Sequence, residues 1–411
     1  MTLDEELEEA ASGGRLPPGE AHPGLRRARA WLSRVAEPGT VDFWRFVEAV
    51  GPVDAARLLR AGRAPERIRA LAGARAEEDE SLADLQRAER CGARLVVPED
   101  GEWPALPLHA LTVAVSGEPD DCRLQSDRTT APVPPVALWV RGPARLDELV
   151  QRSVAIVGSR ASTAYGEHVA AEFGHQLGER GWTVISGGAF GIDAAAHRGA
   201  LVAGAPTSAV LACGVDRPYP AAHGALFARI AETGLLVSEW PPGCAPLRHR
   251  FLVRNRLIAA LTRGTVVVEA AARSGAQATA KRARRLGREV LVIPGPVTSA
   301  MSVGCHELLR DPDIRATLVA TVEHVIEAVG GIGVDLAAPL ERPAGPRDGL
   351  SDLAARVLDA CPVRSGVSPE RLAAVAGCDV PEVLRVLPAL ELADLVQWTG
   401  AGWRLAPRQH G

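Results

Sequence analysis

The middle third of the chain alternates two hydrophobic patterns. Short runs rich in β-branched residues fall at Val154–Val157, Thr183–Ile185, Ser208–Leu211, Leu235–Val237, Thr265–Val268 and Glu289–Ile293. Between them lie stretches of helical character at Gly166–Arg180, Ile192–Val202, Ala221–Thr233, Val253–Leu261 and Ala276–Leu286. Apolar runs without polar alternation belong to strands buried on both faces, and helices of this length between them serve as crossovers. The pattern predicts an α/β domain with a mostly parallel sheet covered by helices on both sides. Ligands of such sheets bind beyond the carboxyl ends of the strands. The unusual residues fall at those ends: Gly158-Ser159-Arg160, Gly187-Gly188 and Cys213-Gly214.

The flanks read differently. Residues 25–75 predict short helices broken at Gly51-Pro52, either a small module of the kind found beside nucleic-acid proteins or a hairpin that only packs. Residues 111–135 read as a loop containing an insertion, and Ala137–Val140 as a strand. Gly330 to Gly349 is rich in glycine and proline and reads as a linker. Beyond it, Leu350–Ala360, Ser368–Gly377 and Val380–Leu390 predict three helices, and the stretch around Gly400-Ala401-Gly402 a hairpin, the outline of a winged helix. Ser368 is a candidate cap for its helix, with Pro369 at the first position. The expected domains are a helical head (1–100), the α/β domain (101–330), a linker (331–349) and the tail (350–411).

Composition narrows the class. The chain has 411 residues, a formal charge of −4 and 47% hydrophobic residues, ordinary for a soluble globular protein of two or three domains. No apolar run reaches the roughly 18–20 residues of a membrane span, and Met1 to Ala10 is acidic, unlike a secretory leader. Seven scattered cysteines, an odd number with no C-x-x-C pair, argue against a disulfide framework or a zinc site. The expectation is a reduced, cytoplasmic protein with no membrane segment, metal or cofactor. Against the mild overall acidity stands a basic island. From Cys244 to Arg288 there are eleven Lys or Arg and one acid, Glu269, a local formal charge of +10. Such an island on an acidic chain is an electrostatic footprint for a polyanion. Lys281 is the only lysine in the chain, so arginine carries the positive charge, which suits planar pairing with phosphate and stacking on bases.

The candidate chemistry sits around that island. Ser186-Gly187-Gly188-Ala189-Phe190-Gly191-Ile192-Asp193 is a glycine-rich turn opening a helix, either a backbone cradle for a phosphate or a tight strand-to-helix turn. It is not a Walker motif, because no lysine follows its glycines, and Gly158-Ser159-Arg160 breaks the dinucleotide G-x-G-x-x-G pattern. Asp193 and His197, four apart, could orient a general base or hold a metal, but no third ligand or nucleophile is spaced to join them. His223 reads as structural. Glu239 and Glu269 end strands and could act in catalysis, or accept from backbone N–H groups and neighbouring arginines. Phe251, among Arg248, His249 and Arg250, is either a platform for an unpaired base or a core side chain starting a helix.

Seven blocks in order resemble the DprA/Smf family of DNA-processing proteins. They are Val154–Arg160, Ser186–Asp193 with Ala196-His197, Leu211–Gly214 with Tyr219-Pro220, Ser238-Glu239, Phe251–Arg256, Ser274-Gly275 with Thr279-Ala280, and Val292–Gly295. The resemblance covers about 154–311 and extends upstream to Trp103-Pro104 and Pro134–Gly142. It implies an extended Rossmann-like, doubly wound sheet, a sterile-alpha-motif-like head and a winged-helix tail. It further implies a dimeric recombination mediator without catalytic residues, which protects incoming single-stranded DNA and helps load RecA in natural transformation. The DNA pocket of the family maps onto Ser159, Arg160, Arg248, Phe251, Arg254, Arg256, Ser274, Gly275 and Lys281, beside a phosphate loop at Gly187, Gly188 and Gly191. Arg248 departs from the family, which commonly has lysine there. The rival class is a Rossmann-like nucleotide phosphoribohydrolase of the lonely-guy type, whose P-G-G-x-G-T motif is lacking here: Pro294-Gly295 runs into Pro296.

Overall fold

The computed structural model describes residues 2–11, 20–117, 131–331, 335, 347 and 349–407. These form two compact units, Met1–Ala337 and Ala338–Gly411. Among the described residues the first unit holds one nine-stranded sheet. Its strands are β1 (Ala93–Val96), β2 (Leu138–Arg141), β3 (Ser153–Val157), β4 (Thr183–Ser186), β5 (Thr207–Val210), β6 (Leu235–Ser238), β7 (Gly264–Val267), β8 (Glu289–Val292) and β9 (Thr317–Leu318). The spatial order is β1-β2-β6-β5-β4-β3-β7-β8-β9. The seven strands from β3 onward pair in parallel, and β1 and β2 are joined antiparallel to the β6 edge.

The predicted apolar runs become the central strands because every residue of β3, β4, β5, β6 and β7 is buried. Successive side chains of a strand point to opposite faces. Val154 and Ile156 therefore enter one core with Phe173, Leu177, Trp182 and Ile192. Ala155 and Val157 enter the other, with Leu257, Ala280 and Leu146. After β3 the chain winds one way through β4, β5 and β6, then returns to add β7 and β8 on the opposite side of β3. The β3–β7 boundary is thus the switch point at which a crevice opens beyond the strand ends.

Several boundaries differ from those expected of the sequence. The sheet begins before residue 100, because β1 lies at 93–96. Its Arg94 hides it from an apolar-run reading, yet that side chain is anchored by Glu102 and by the carbonyls of Gly142 and Ala144. The helix Ala105–Ser116 occupies the start of the expected loop. The expected insertion falls mainly on 118–130, outside the described residues. The helical head packs around Trp31, Leu32, Phe43, Val47 and Leu59, and belongs to the same unit as the sheet. The tail, a unit of its own, has helices Asp352–Ala360, Pro369–Ala376 and Val380–Leu392 and a hairpin in which Trp398 faces Trp403. Its core gathers Val357, Leu358, Leu372, Val383, Leu387 and Val396.

One helix crossing fixes the layer above β3 and β4. The helices Ala164–Glu179 and Ile192–Val202 approach so closely that a Cβ on Gly199 would lie 2.0 Å from the Ala171 carbonyl oxygen. The obstacle is backbone, which cannot rotate away. Gly199→Val should therefore lower unfolding stability by at least ~2 kcal/mol through overpacking. A urea midpoint and slope equal to wild type would contradict this crossing.

Candidate nucleic-acid interface

The connection from β6 to β7 carries the basic island over the carboxyl ends of the intervening strands. Its helix, Arg248–Ala260, begins two residues before Arg250, earlier than the apolar pattern suggested. The reason lies in Glu37 of the helical head. Arg250 donates to both Glu37 oxygens, at 3.2 and 2.6 Å, and Trp240 Nε1 donates to the same carboxylate at 3.2 Å. Burial acts to raise the Glu37 carboxyl, and the Arg250 and Trp240 hydrogen bonds more than offset it, leaving it below its ordinary range. The Arg250 guanidinium also lies over the Trp240 ring, 5.4 Å from its centroid. This anchor orders the first turn from which Arg248 and Phe251 project.

The structure brings Arg160 and Phe251 together. The Arg160 guanidinium carbon lies 5.3 Å from the Phe251 ring centroid, within cation–π range. Phe251 is half-buried, and its ring meets Tyr219 edge-on at 5.8 Å while its base packs on Trp240, Ala212 and Val253. Tyr219 is 47% exposed. Arg160, Arg248 and Lys281 are exposed and have no acidic partner among the described residues.

The loops that hold these groups are pinned by a buried carboxylate. Glu269, at the end of β7, accepts from the Thr163 amide at 2.9 Å and the Thr163 hydroxyl at 2.6 Å, and its carbonyl accepts from Ser159 N at 2.8 Å. The β3 and β7 loops therefore close on each other across the switch point. Ser159 is buried: its hydroxyl donates to Met301 Sδ at 3.4 Å and accepts from the Ala161 amide at 3.2 Å. Ser274 caps the helix Gly275–Arg285, and Gly275 accepts from Asn255 Nδ2 at 3.4 Å, tying that helix start to the basic helix. Lys281 stands six residues further along, about 9 Å up the helix at 1.5 Å per residue.

Arg254 and Arg256, expected at the DNA pocket, are closed inside the fold. Arg254 is 4% exposed and donates to the carbonyls of Gly187, at 3.0 Å, and Val210, and to Asn255 Oδ1 at 3.2 Å. Burial pushes its guanidinium down to about 10, with Asp193 opposing the shift, so it stays cationic at neutral pH. Arg256 is 2% exposed and donates to Glu239 Oε1 at 2.7 Å. Burial raises the Glu239 carboxyl, against the attraction of Arg256. The basic helix thus turns three of its four arginines inward, Arg250, Arg254 and Arg256, and leaves Arg248 exposed in its first turn.

The glycine-rich turn also departs from an open phosphate cradle. Its amides are occupied from within: Gly187 N and Ala189 N donate to Asp193 Oδ2 at 3.1 and 3.4 Å. Asp193 takes the place in the turn that an external anion would occupy. Gly187 is required by the approach of Arg254, whose guanidinium would lie 2.5 Å from an added Cβ. Gly188 and Gly191 both have positive φ, and a Cβ on them would meet Phe227 and the Ser159 carbonyl. His197 does not pair with Asp193. Its Nδ1 lies 2.8 Å from Thr207 Oγ1, whose own proton goes to the Val184 carbonyl, so Nδ1 carries the imidazole proton. His223 Nδ1 lies 3.1 Å from the Gly188 carbonyl. Among the described residues no group of three or more His, Cys, Asp or Glu could hold a metal, and no helix is long and apolar enough to cross a membrane.

Comparison with known proteins agrees with this architecture. Residues 97–330 match the family model described as DNA recombination-mediator protein A. A Mycobacterium tuberculosis protein named for DNA processing protein DprA is 47% identical over 379 residues, covering 92% of this chain and 94% of its own. The Escherichia coli protein Smf is 42% identical over 194 residues, 47% of this chain and 50% of its own. The X-ray structure of DNA processing protein A from Streptococcus pneumoniae superposes with a TM-score of 0.57 at 28% identity, over 73% of this chain and 96% of that one.

Two outcomes test the buried framework. Arg256→Ala strands Glu239 in the core and should cost ~3–5 kcal/mol, whereas Arg256→Met with Glu239→Leu should cost clearly less than the single change. Chemical denaturation of the three proteins reads this; equal losses would contradict the isolated pair. His197 provides a pH signature, because burial depresses its imidazole to about 3 against 6.5 for an ordinary histidine. Below pH ~6.5 the unfolded chain takes up a proton that the core refuses, so stability falls with pH towards 3 at up to ~1.4 kcal/mol per unit from this residue. In His197→Gln that contribution should vanish between pH 7 and 5; equal slopes in both proteins would refute it.

Proposed function

Because this chain belongs to the DNA recombination-mediator protein A family, we propose that it binds single-stranded DNA at the mouth of its sheet, around Arg160 and Phe251. The observation that carries this reading is the exposed guanidinium of Arg160 lying over the half-buried Phe251 ring. A single strand offers unpaired bases to an aromatic platform and phosphates to the guanidinium groups beside it. Duplex DNA keeps its bases stacked and engages only the charges. Arg160, Arg248 and Lys281 are the proposed phosphate contacts, with Phe251 and Tyr219 as the stacking surface. Ser159, Ser274 and Gly275 shape the loops around them. Arg254, Arg256, Gly187, Gly188 and Gly191 act as framework, holding those loops without touching the strand.

In this role the protein serves as a recombination mediator that protects incoming DNA and helps load RecA during natural transformation, working as a homodimer in the cytoplasm. No catalytic step enters the proposal. Glu269 and Glu239, the carboxylates a phosphoribohydrolase would need, accept from Thr163 and Arg256. The tail is proposed as a winged helix that contacts protein instead of reading a duplex. Its third helix carries Arg385 as its one base and presents Leu384 and Leu392 to solvent, 52% and 89% exposed. A groove reader would need a basic face there.

Arg160→Ala should weaken single-strand binding by at least ~1 kcal/mol and lower the log–log salt slope by about 0.7. Phe251→Ala should weaken binding by ~1–3 kcal/mol with the slope unchanged. Fluorescence polarisation across a salt series, with circular dichroism to confirm folding, measures both. Wild-type affinity in both folded variants would overturn the site.

A further inference from the structure

A second feature lies beside the mouth and plays no part in the site so far described. The helices Ile192–Val202 and Gly224–Thr233 leave between them an open groove of about 520 Å³. That volume falls within the roughly 300–1,000 Å³ of clefts that take small ligands. The groove has an apolar floor, Leu201, Val202, Ala222 and Leu226, and an arginine on each helix, Arg198 and Arg229. Val202 is 78% exposed, a large apolar side chain that nothing in this unit covers. Arg198 is exposed with no acidic partner among the described residues, and Arg229 pairs with Glu232 one turn away. His223 also lines the groove, and its ring meets Phe190 edge-on at 4.6 Å. Phe190 is 46% exposed and sits in the glycine-rich turn, while Tyr219, four residues before His223, touches Phe251.

We infer that this groove is a second single-strand subsite, through which DNA leaving the Phe251 platform continues past Tyr219 and Phe190 to phosphate contacts at Arg198 and Arg229. The inference rests on the single-strand reading proposed above. Three features support it together. Phe251 meets Tyr219 at the platform and Phe190 meets His223 in the groove lining, with Tyr219 and His223 four residues apart in the chain. Cations rise on both banks, where a strand on an apolar floor would place its phosphates. The floor itself offers the sequence-tolerant surface on which bases rest. A polynucleotide therefore suits the groove better than a neutral apolar peptide, which would leave Arg198 without a counter-charge.

Length dependence in the full chain separates this subsite from the platform. Oligothymidines of about six and about fifteen nucleotides span one subsite or both. Wild type should bind the longer more tightly than added length alone allows. Arg198→Ala with Arg229→Ala should leave the short oligonucleotide unaffected and weaken the long one at least ~5-fold, reducing its salt slope by about 1.4, or 0.7 per lost contact. Arg198→Glu should strengthen the effect, and both positions are exposed, so circular dichroism should report an intact fold. If the double variant binds both lengths as wild type does while Arg160→Ala still impairs both, the groove is not on the DNA path and the inference falls. If instead an acidic, apolar peptide binds wild type but not the double variant, with DNA binding unchanged, the groove belongs to a protein partner and the inference falls as well. Failure of Arg160→Ala to weaken even the short oligonucleotide would count against the platform itself.

Discussion

The mouth of the sheet is organised around one buried cation. Arg254 reaches the carbonyls of Gly187 and Val210, at the ends of neighbouring strands, and lies beside Asp193. A guanidinium out of water is costly unless its donors and its charge are met. Here backbone carbonyls meet the donors, and Asp193 meets the charge while accepting the amides of the glycine-rich turn. The same arrangement dictates Gly187, since a side chain there would collide with Arg254. Turn, strand ends and basic helix are thereby locked into one geometry. Charge on the inside is cancelled, and charge on the outside, at Arg160 and Arg248, is left for a partner.

Much of this was legible in the sequence. The six apolar runs became β3 to β8, because a strand buried on both faces cannot hide its composition. The carboxyl-end placement of Arg160 followed from topology, its company with Phe251 was what the family resemblance implied, and the two side chains do meet. The two-sided use of one arginine-rich helix was not legible. A run such as Arg254-Asn255-Arg256 looks uniformly basic, but a helix that packs against strand ends must bury part of its circumference. Arg256 faces inward because Glu239, distant in sequence, waits in the core. The one available signal was the pairing of lone strand-end carboxylates with a dense arginine run. The glycine-rich turn misled for a related reason: its own Asp193, two residues past the last glycine, serves as the bound anion.

The arrangement suits a binder that must accept many sequences. Three polar side chains that the sequence singles out are occupied within the fold: Glu269 holds the β3 loop, Asp193 fills the turn, and His197 is neutral and inaccessible in the core. The exposed Arg160 and Tyr219 and the half-buried Phe251 offer charge and aromatic area, which can engage phosphate and π-face. The Glu37–Arg250 tie adds a structural role for the helical head, because it fixes the first turn of the helix from which Phe251 and Arg248 project.

The most direct test is photo-crosslinking of the full chain to a single-stranded oligonucleotide carrying iodinated uracil, with the adducts mapped by mass spectrometry. Stacking on the aromatic platform predicts adducts at Phe251 or Tyr219, suppressed by excess unlabelled single strand and far less by duplex. Adducts confined to residues 350–407, with none on the loops around Arg160 and Phe251, would contradict the account.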